Sequence, residues 1–191
     1  KRTTLKWTVN GVAQPSKNWT GSLAIGTTEE NIVLGNFTFQ QGKQYQFKIW
    51  QENPNGQPDL NALNDTLYAT LYSSLSGVYT IGGVSPDFKS FTEAVTVLNN
   101  AGVVGPVTFR VRNGTYSEQI VIGKVTGASA TNTITFESES GDSTKAVLNY
   151  SEDNSILDYA MLINGGQNIS FKHLGFRRAN YDSYLIKIGK G

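Results

Sequence analysis

Apolar and polar residues alternate in the run QYQFKIW at 44–50: Tyr45, Phe47 and Ile49 on one parity, Gln44, Gln46 and Lys48 on the other. A period of two predicts a strand in a sheet with one buried face. The run TLYATLY at 66–72 repeats the pattern, with Leu67, Ala69 and Leu71 opposing Tyr68, Thr70 and Tyr72. TLKWTV, TGSLAI and NIVLGNFTF read as three further strands, and Asn10-Gly11, Gln41-Gly42 and the long ENPNGQPDLNALND supply turns. The first 75 residues are therefore expected to form an antiparallel β-sandwich.

The stretch SSLSGVYTIGGVSPDF at 73–88 is rich in Gly and Ser and marks the expected domain boundary, giving units 1–75 and 76–191. A helix is predicted directly after it. Ser90 can cap, with Glu93 three residues on, and Phe91, Ala94, Val95 and Leu98 fall on one face. Asn99, Asn100 and Gly102 supply the stop. Three near-identical triplets follow: Val107-Thr108-Phe109, Ile134-Thr135-Phe136 and Ile169-Ser170-Phe171, spaced by 27 and 35 residues. QIVI, AVLNY, AMLI and SYLIKIG lie around them. One strand flavour returning every few tens of residues predicts a solenoid of stacked strands with loops of unequal length outside. A second sandwich is the competing reading, but a capped helix ahead of a strand series suits the lid that a solenoid's first coil needs.

Composition narrows the function classes. With 16 Lys and Arg against 15 Asp and Glu, net charge +1, the whole chain makes no electrostatic case for nucleic acid. No run approaches the ~18 apolar residues of a membrane span. The absence of cysteine removes disulfides, thiolate catalysis and cysteine-ligated zinc. No apolar leader is visible in KRTTLKWTVNG, so either the protein is cytoplasmic or the sequence starts after the natural beginning of the polypeptide, and the segment pattern favours the second.

Two resemblances follow from these segments. WTVNG at 7–11, WTGSL at 19–23, LGNFTF at 34–39 and NPNGQPDLNALNDT at 53–66 resemble the immunoglobulin-like, adhesion-related modules of bacterial surface proteins. The likeness implies that Trp7 is the buried core tryptophan and that two earlier strands are missing. PDFKSFTEAV, GPVTFRVRNGTYSEQIVI and NTITFES resemble the entry to right-handed parallel β-helices of the pectin lyase and pectin methylesterase type. There Asp87-Phe88 would precede the capping helix, and Gly114-Thr115-Tyr116 with Glu118 would join two early strands. The expected fold is thus all-β: an incomplete immunoglobulin-like sandwich, then the first coils of a right-handed parallel β-helix capped by one amphipathic helix.

Candidate chemistry is sparse. Asp59, Asn61, Asn64 and Asp65 share one loop and offer oxygen ligands to calcium, though such residues more often bond their own backbone. Arg178, Tyr181 and Tyr184 form the best ligand-contact group, a guanidinium beside aromatic faces. Trp19, Trp50, Tyr150 and Tyr159 are further stacking candidates. His173, the single histidine, lacks a positioned partner for general-base work, and Asp153 and Asp158 have no fixed separation. Arg110 and Arg112 share a strand face and are expected to pair with Glu137 or Glu139 on the next coil. None of the catalytic groups of the β-helix esterases or lyases can be matched.

The expectation is therefore a piece of a secreted or outer-surface adhesin-like protein. An immunoglobulin-like spacer would present a β-helix that binds a polysaccharide or cell-surface partner, joined to further domains of the same polypeptide. Such module pairs resemble surface proteins exported by a type IX-like machine. The alternatives are the N-terminal part of a polysaccharide-active β-helix enzyme whose catalytic residues follow residue 191, and a structural subunit of a surface assembly.

Overall fold

The computed structural model describes residues 1–58, 65–150, 159–178 and 184–189. Among them the protein is mainly β, with one α-helix, and it divides into two compact units: residues 1–40 with 44–72, and residues 41–43 with 73–191. No helix among the described residues is long and apolar enough to cross a membrane.

The first unit is one antiparallel sheet built on β1 (Arg2–Val9) and β4 (Gln44–Glu52). The two pair so that Trp7 faces Ile49 and Val9 faces Phe47. β2 (Val12–Ala13) and β3 (Lys17–Thr20) both pair with β1, and β5 (Thr66–Tyr72) pairs with β4. Alternation sends Trp7, Val9, Tyr45, Phe47 and Ile49 to one face, where Leu34 and Phe37 pack on them. Trp7 is buried, its ring parallel to Phe47 at 6.2 Å and its indole N–H donating to the Pro15 carbonyl at 3.0 Å.

Two strand expectations fail here. TGSLAI contributes only Thr20 to a strand, and NIVLGNFTF contributes no residue to one. The chain turns at Ala24, whose carbonyl accepts from both the Thr27 amide and hydroxyl, and Asn31 takes a left-handed φ of 62°. Leu34 and Phe37 of NIVLGNFTF cover the sheet instead of pairing beside it: the Phe37 ring meets Tyr45 edge-on at 5.3 Å and Phe47 at 6.1 Å. The second sheet of a sandwich is not found among the described residues of this unit.

In the second unit every strand pairing among the described residues is parallel. After β6 (Leu75–Ile81) and the helix α1 (Phe91–Ala101), strands come in threes. The first three are β7 (Val103–Val111), β8 (Gly114–Ser117) and β9 (Ile120–Ile122). Then come β10 (Ile134–Ser138), β11 (Ala146–Tyr150) and β12 (Tyr159–Asn164), followed by β13 (Ile169–Lys172), β14 (Gly175–Arg178) and β15 (Tyr184–Gly189). Each three sends one strand to each of three sheets, ordered β13-β10-β7-β6, β14-β11-β8 and β15-β12-β9.

The repeated triplets are what align these layers. Phe136 lies in register with Phe109 on one side and Phe171 on the other. Their rings stack at 4.6 and 5.4 Å, and Phe109 and Phe136 are fully buried. On the opposite parity Arg110 pairs with Glu137 and Arg112 with Glu139, each at 3.5 Å, as the strand period requires.

The helix forms as its sequence dictates, with one difference at its start. Ser90 accepts from the Glu93 amide at 3.1 Å, while Glu93 returns to the Lys89 amide, one residue before the cap, at 2.6 Å. Glu118 does more than lie between strands: its carboxylate accepts the Phe91 and Thr92 amides at 3.1 and 2.6 Å and the Thr92 hydroxyl. A carboxylate at a helix N-terminus satisfies unpaired donors and opposes the dipole. Tyr116 donates to the Ile81 and Arg112 carbonyls at 3.1 and 2.9 Å. Burial raises its hydroxyl above the ordinary range and the Glu118 charge adds to this.

Asp87 closes the loop before the helix. Its carboxylate accepts the Thr80 amide and hydroxyl, each at 2.9 Å. Partial burial alone would raise its pKa, but the Thr80 bonds with the Lys43 charge outweigh that and hold it below the usual carboxylate range. A depressed value means stability that is present above the unfolded-state pKa of about 4 and lost as pH falls through the folded value. Asp87→Asn should therefore flatten the loss of stability of this unit below about pH 4. Acid titrations of the two proteins followed by circular dichroism check this; parallel curves would show that Asp87 contributes nothing to acid sensitivity.

Candidate functional site

The outward face of the first unit's sheet carries the polar parity: Arg2, Thr4, Lys6 and Thr8 on β1, and Gln46, Lys48, Trp50 and Glu52 on β4. At one end of it lies an open cleft of about 470 Å3, lined by Arg2, Thr4, Asn18, Thr20, Asn53 and Gly56 among others. The β1–β3 register brings Arg2 opposite Thr20 and Thr4 opposite Asn18, and the Thr4 hydroxyl donates to the Asn18 side-chain carbonyl at 3.1 Å. The far wall is a tight turn at Pro54–Gly56, flanked by Asn53, in which Asn53 and Asn55 hold left-handed φ of 51° and 55°. Its Asn55 side chain accepts the Arg2 amide at 3.3 Å. Gly56 has φ 77° and lies against the Arg2 guanidinium; an added Cβ would come within 2.6 Å of a guanidinium nitrogen. The turn thus fixes a cation, amides and hydroxyls around one concave surface, a donor set suited to a hydroxyl-rich ligand.

Trp19 lines this cleft and also a smaller cavity of about 240 Å3 with Leu5, Leu23, Ile32 and Pro54. Along the open face, Trp50 donates its indole N–H to Glu52 at 2.9 Å, and Lys6 reaches the same carboxylate at 2.7 Å. The Lys6 bond, with that of Trp50, holds Glu52 below the usual carboxylate range. The Lys48 ammonium lies 5.1 Å from the Trp50 ring centre and 5.9 Å from that of Tyr68.

The residues singled out from sequence are dispersed. Arg178 is on β14, its guanidinium 5.7 Å from the Tyr150 ring. Tyr184 is on β15, in another sheet, where it pairs with Tyr159 and stands exposed beneath the Lys187 ammonium at 5.6 Å. Tyr181 lies outside the described residues, as do Asp153 and Asp158. Of the calcium candidates, Asp59, Asn61 and Asn64 lie outside the described residues; Asp65 accepts from the Gln51 side-chain amide at 3.0 Å. No group of three or more metal-ligating side chains is found among the described residues. His173 is exposed at a left-handed φ of 52°, at a turn after β13. Trp50 and Trp19 are the two stacking candidates that the fold places at the polar face and its cleft, whereas Tyr159 is buried.

No family model, no curated protein and no solved structure matches the chain.

Proposed function

We propose that this chain is part of a secreted or cell-surface, adhesin-like binding protein whose first unit holds a saccharide at the Arg2–Asn18–Asn53 cleft. The observation that carries the proposal is that cleft: guanidinium, amide and hydroxyl groups converge on one open concavity beside an aromatic sheet face. Sugars are bound by such donor sets together with the apolar faces of aromatic rings. In this reading the first unit is an immunoglobulin-like module and the second is the opening of a right-handed parallel β-helix capped by α1. The strand triples, with all-parallel pairing and stacked phenylalanines, support the β-helix reading. The buried Trp7 supports the immunoglobulin-like one.

A glycan array probed with the whole chain, followed by calorimetry on the best hit, tests this. Saturable binding without turnover is expected, weakened by Asn18→Ala with the melting curve retained. No retained glycan would overturn the proposal. Cleavage or de-esterification of a pectin-like polymer would favour instead the polysaccharide-active enzyme. That alternative draws its support from the same parallel sheets and from the positions of Asp87, Tyr116 and Glu118 around the helix.

A further inference from the structure

We infer that the ligand of the first unit is an anionic saccharide chain, bound lengthwise from the cleft across the outward sheet face to Trp50, Lys48 and Tyr68. This deepens the saccharide reading and rests on it. The charged side chains of that face are Arg2, Lys6, Lys48 and Glu52, three cations to one anion. Lys6 and Glu52 neutralise each other at 2.7 Å, which leaves Arg2 and Lys48 without an ion-pair partner among the described residues, Glu29 sharing with Arg2 only the wall of the smaller cavity. Among the described residues Arg2 makes no ion pair, and Lys48 has only aromatic rings against it.

The spacing argues for a chain rather than a single sugar. Lys48 is the Cα partner of Thr8, so it stands six residues along β1 from Arg2. At about 3.4 Å per residue, that is on the order of 20 Å. Trp50 lies between them, paired with Lys6, and Tyr68 sits in the Lys48 row on β5, 71% exposed. A large, exposed tyrosine on an outward face beside a half-buried tryptophan offers two ring faces along one line. Hydroxyl and amide partners flank that line at Thr4, Thr8, Gln46 and Thr70. A polymer that repeats an anionic group along its length complements charges at both ends, with the Trp50 ring between them and the Tyr68 ring beside Lys48.

The test measures binding of the whole chain by calorimetry to four probes: an alginate oligomer bearing carboxylates, a carrageenan oligomer bearing sulfates, a neutral mannan oligomer of equal length, and oligothymidylate. The expected result is tighter binding of at least one anionic saccharide than of mannan, with affinity falling as salt rises from about 0.05 to 0.5 M. Arg2→Ala and Lys48→Gln should each weaken it about three- to tenfold, and Trp50→Ala about tenfold. All three are to be confirmed folded by thermal melting. The carboxylate and sulfate arms say which anion is preferred. Equal, salt-indifferent binding of mannan would overturn the anionic assignment and leave the saccharide reading standing. Failure of every saccharide would overturn both. Anionic binding untouched by the three substitutions would place the site elsewhere and overturn the inference, as would tighter binding of oligothymidylate, since bases also stack on aromatic rings.

Discussion

Replacing Phe136 with alanine is expected to destabilise the second unit by about 3–5 kcal/mol, the range for deleting a buried aromatic side chain. Phe136 is fully buried and sits in the middle of the aromatic column, between Phe109 and Phe171, with Phe91 of the helix 6.1 Å away. Its loss would open a cavity that three other rings line, and each layer relies on its neighbours for burial. The three tryptophans all belong to the first unit, at positions 7, 19 and 50, which allows a clean readout. Denaturant unfolding should show an earlier far-ultraviolet circular dichroism transition, against wild type, for the part of the signal that does not follow tryptophan fluorescence. Phe136→Leu, which keeps most of the volume, should cost clearly less. A loss under about 1 kcal/mol for the alanine variant would mean that the column is not the core of this unit.

The same column shows why the second unit was legible in the sequence. In stacked parallel strands one parity points inward at every layer, so an inward aromatic returns as the same triplet whatever the loops between. Loop length changes the spacing from 27 to 35 residues but cannot shift parity, because a shift by one would turn Phe136 outward. The pairing of Arg110 with Glu137 was readable for the same reason. Residues 21–39 misled because apolar residues in a run need not enter a strand: Leu34 and Phe37 of NIVLGNFTF are partly buried by lying over the sheet, while Val33 and Phe39 stay exposed. Asp65 illustrates another limit: a residue type that can bind calcium equally serves a local hydrogen bond, here from Gln51.

The cleft was beyond reach of pattern alone. Arg2, Asn18 and Asn53 are far apart along the chain, and only the antiparallel register and the left-handed turn at Asn53–Asn55 bring them together. A partial signal existed in the alternation of 66–72, which placed Tyr68 opposite Leu67. A polar face with exposed aromatics is as informative as an apolar one.

Gly102→Ala is expected to damage the second unit through its backbone rather than its core. Gly102 ends α1 with φ 68° and ψ −164°, a backbone region that is essentially restricted to glycine and costs other residues about 1–3 kcal/mol. The conformation is held from three sides. Its amide donates to the Leu98 carbonyl at 3.0 Å, its carbonyl accepts the Leu75 amide at 3.0 Å, and a Cβ would run into the Thr126 backbone carbonyl. Thr126 cannot yield, because that same carbonyl accepts the Val103 amide at 2.8 Å and so begins β7. Strain and displacement therefore add, and a loss of about 2–4 kcal/mol is expected. An exposed glycine of ordinary helix-end geometry would lose far less. The comparison substitution Gly141→Ala, with φ 71° and open space around its Cβ position, gives the cost of a positive φ without a clash. Denaturant titration of the two variants should place Gly102→Ala clearly below Gly141→Ala in midpoint. Equal midpoints would show that the Thr126 carbonyl moves aside, and that α1 is not locked to the start of β7.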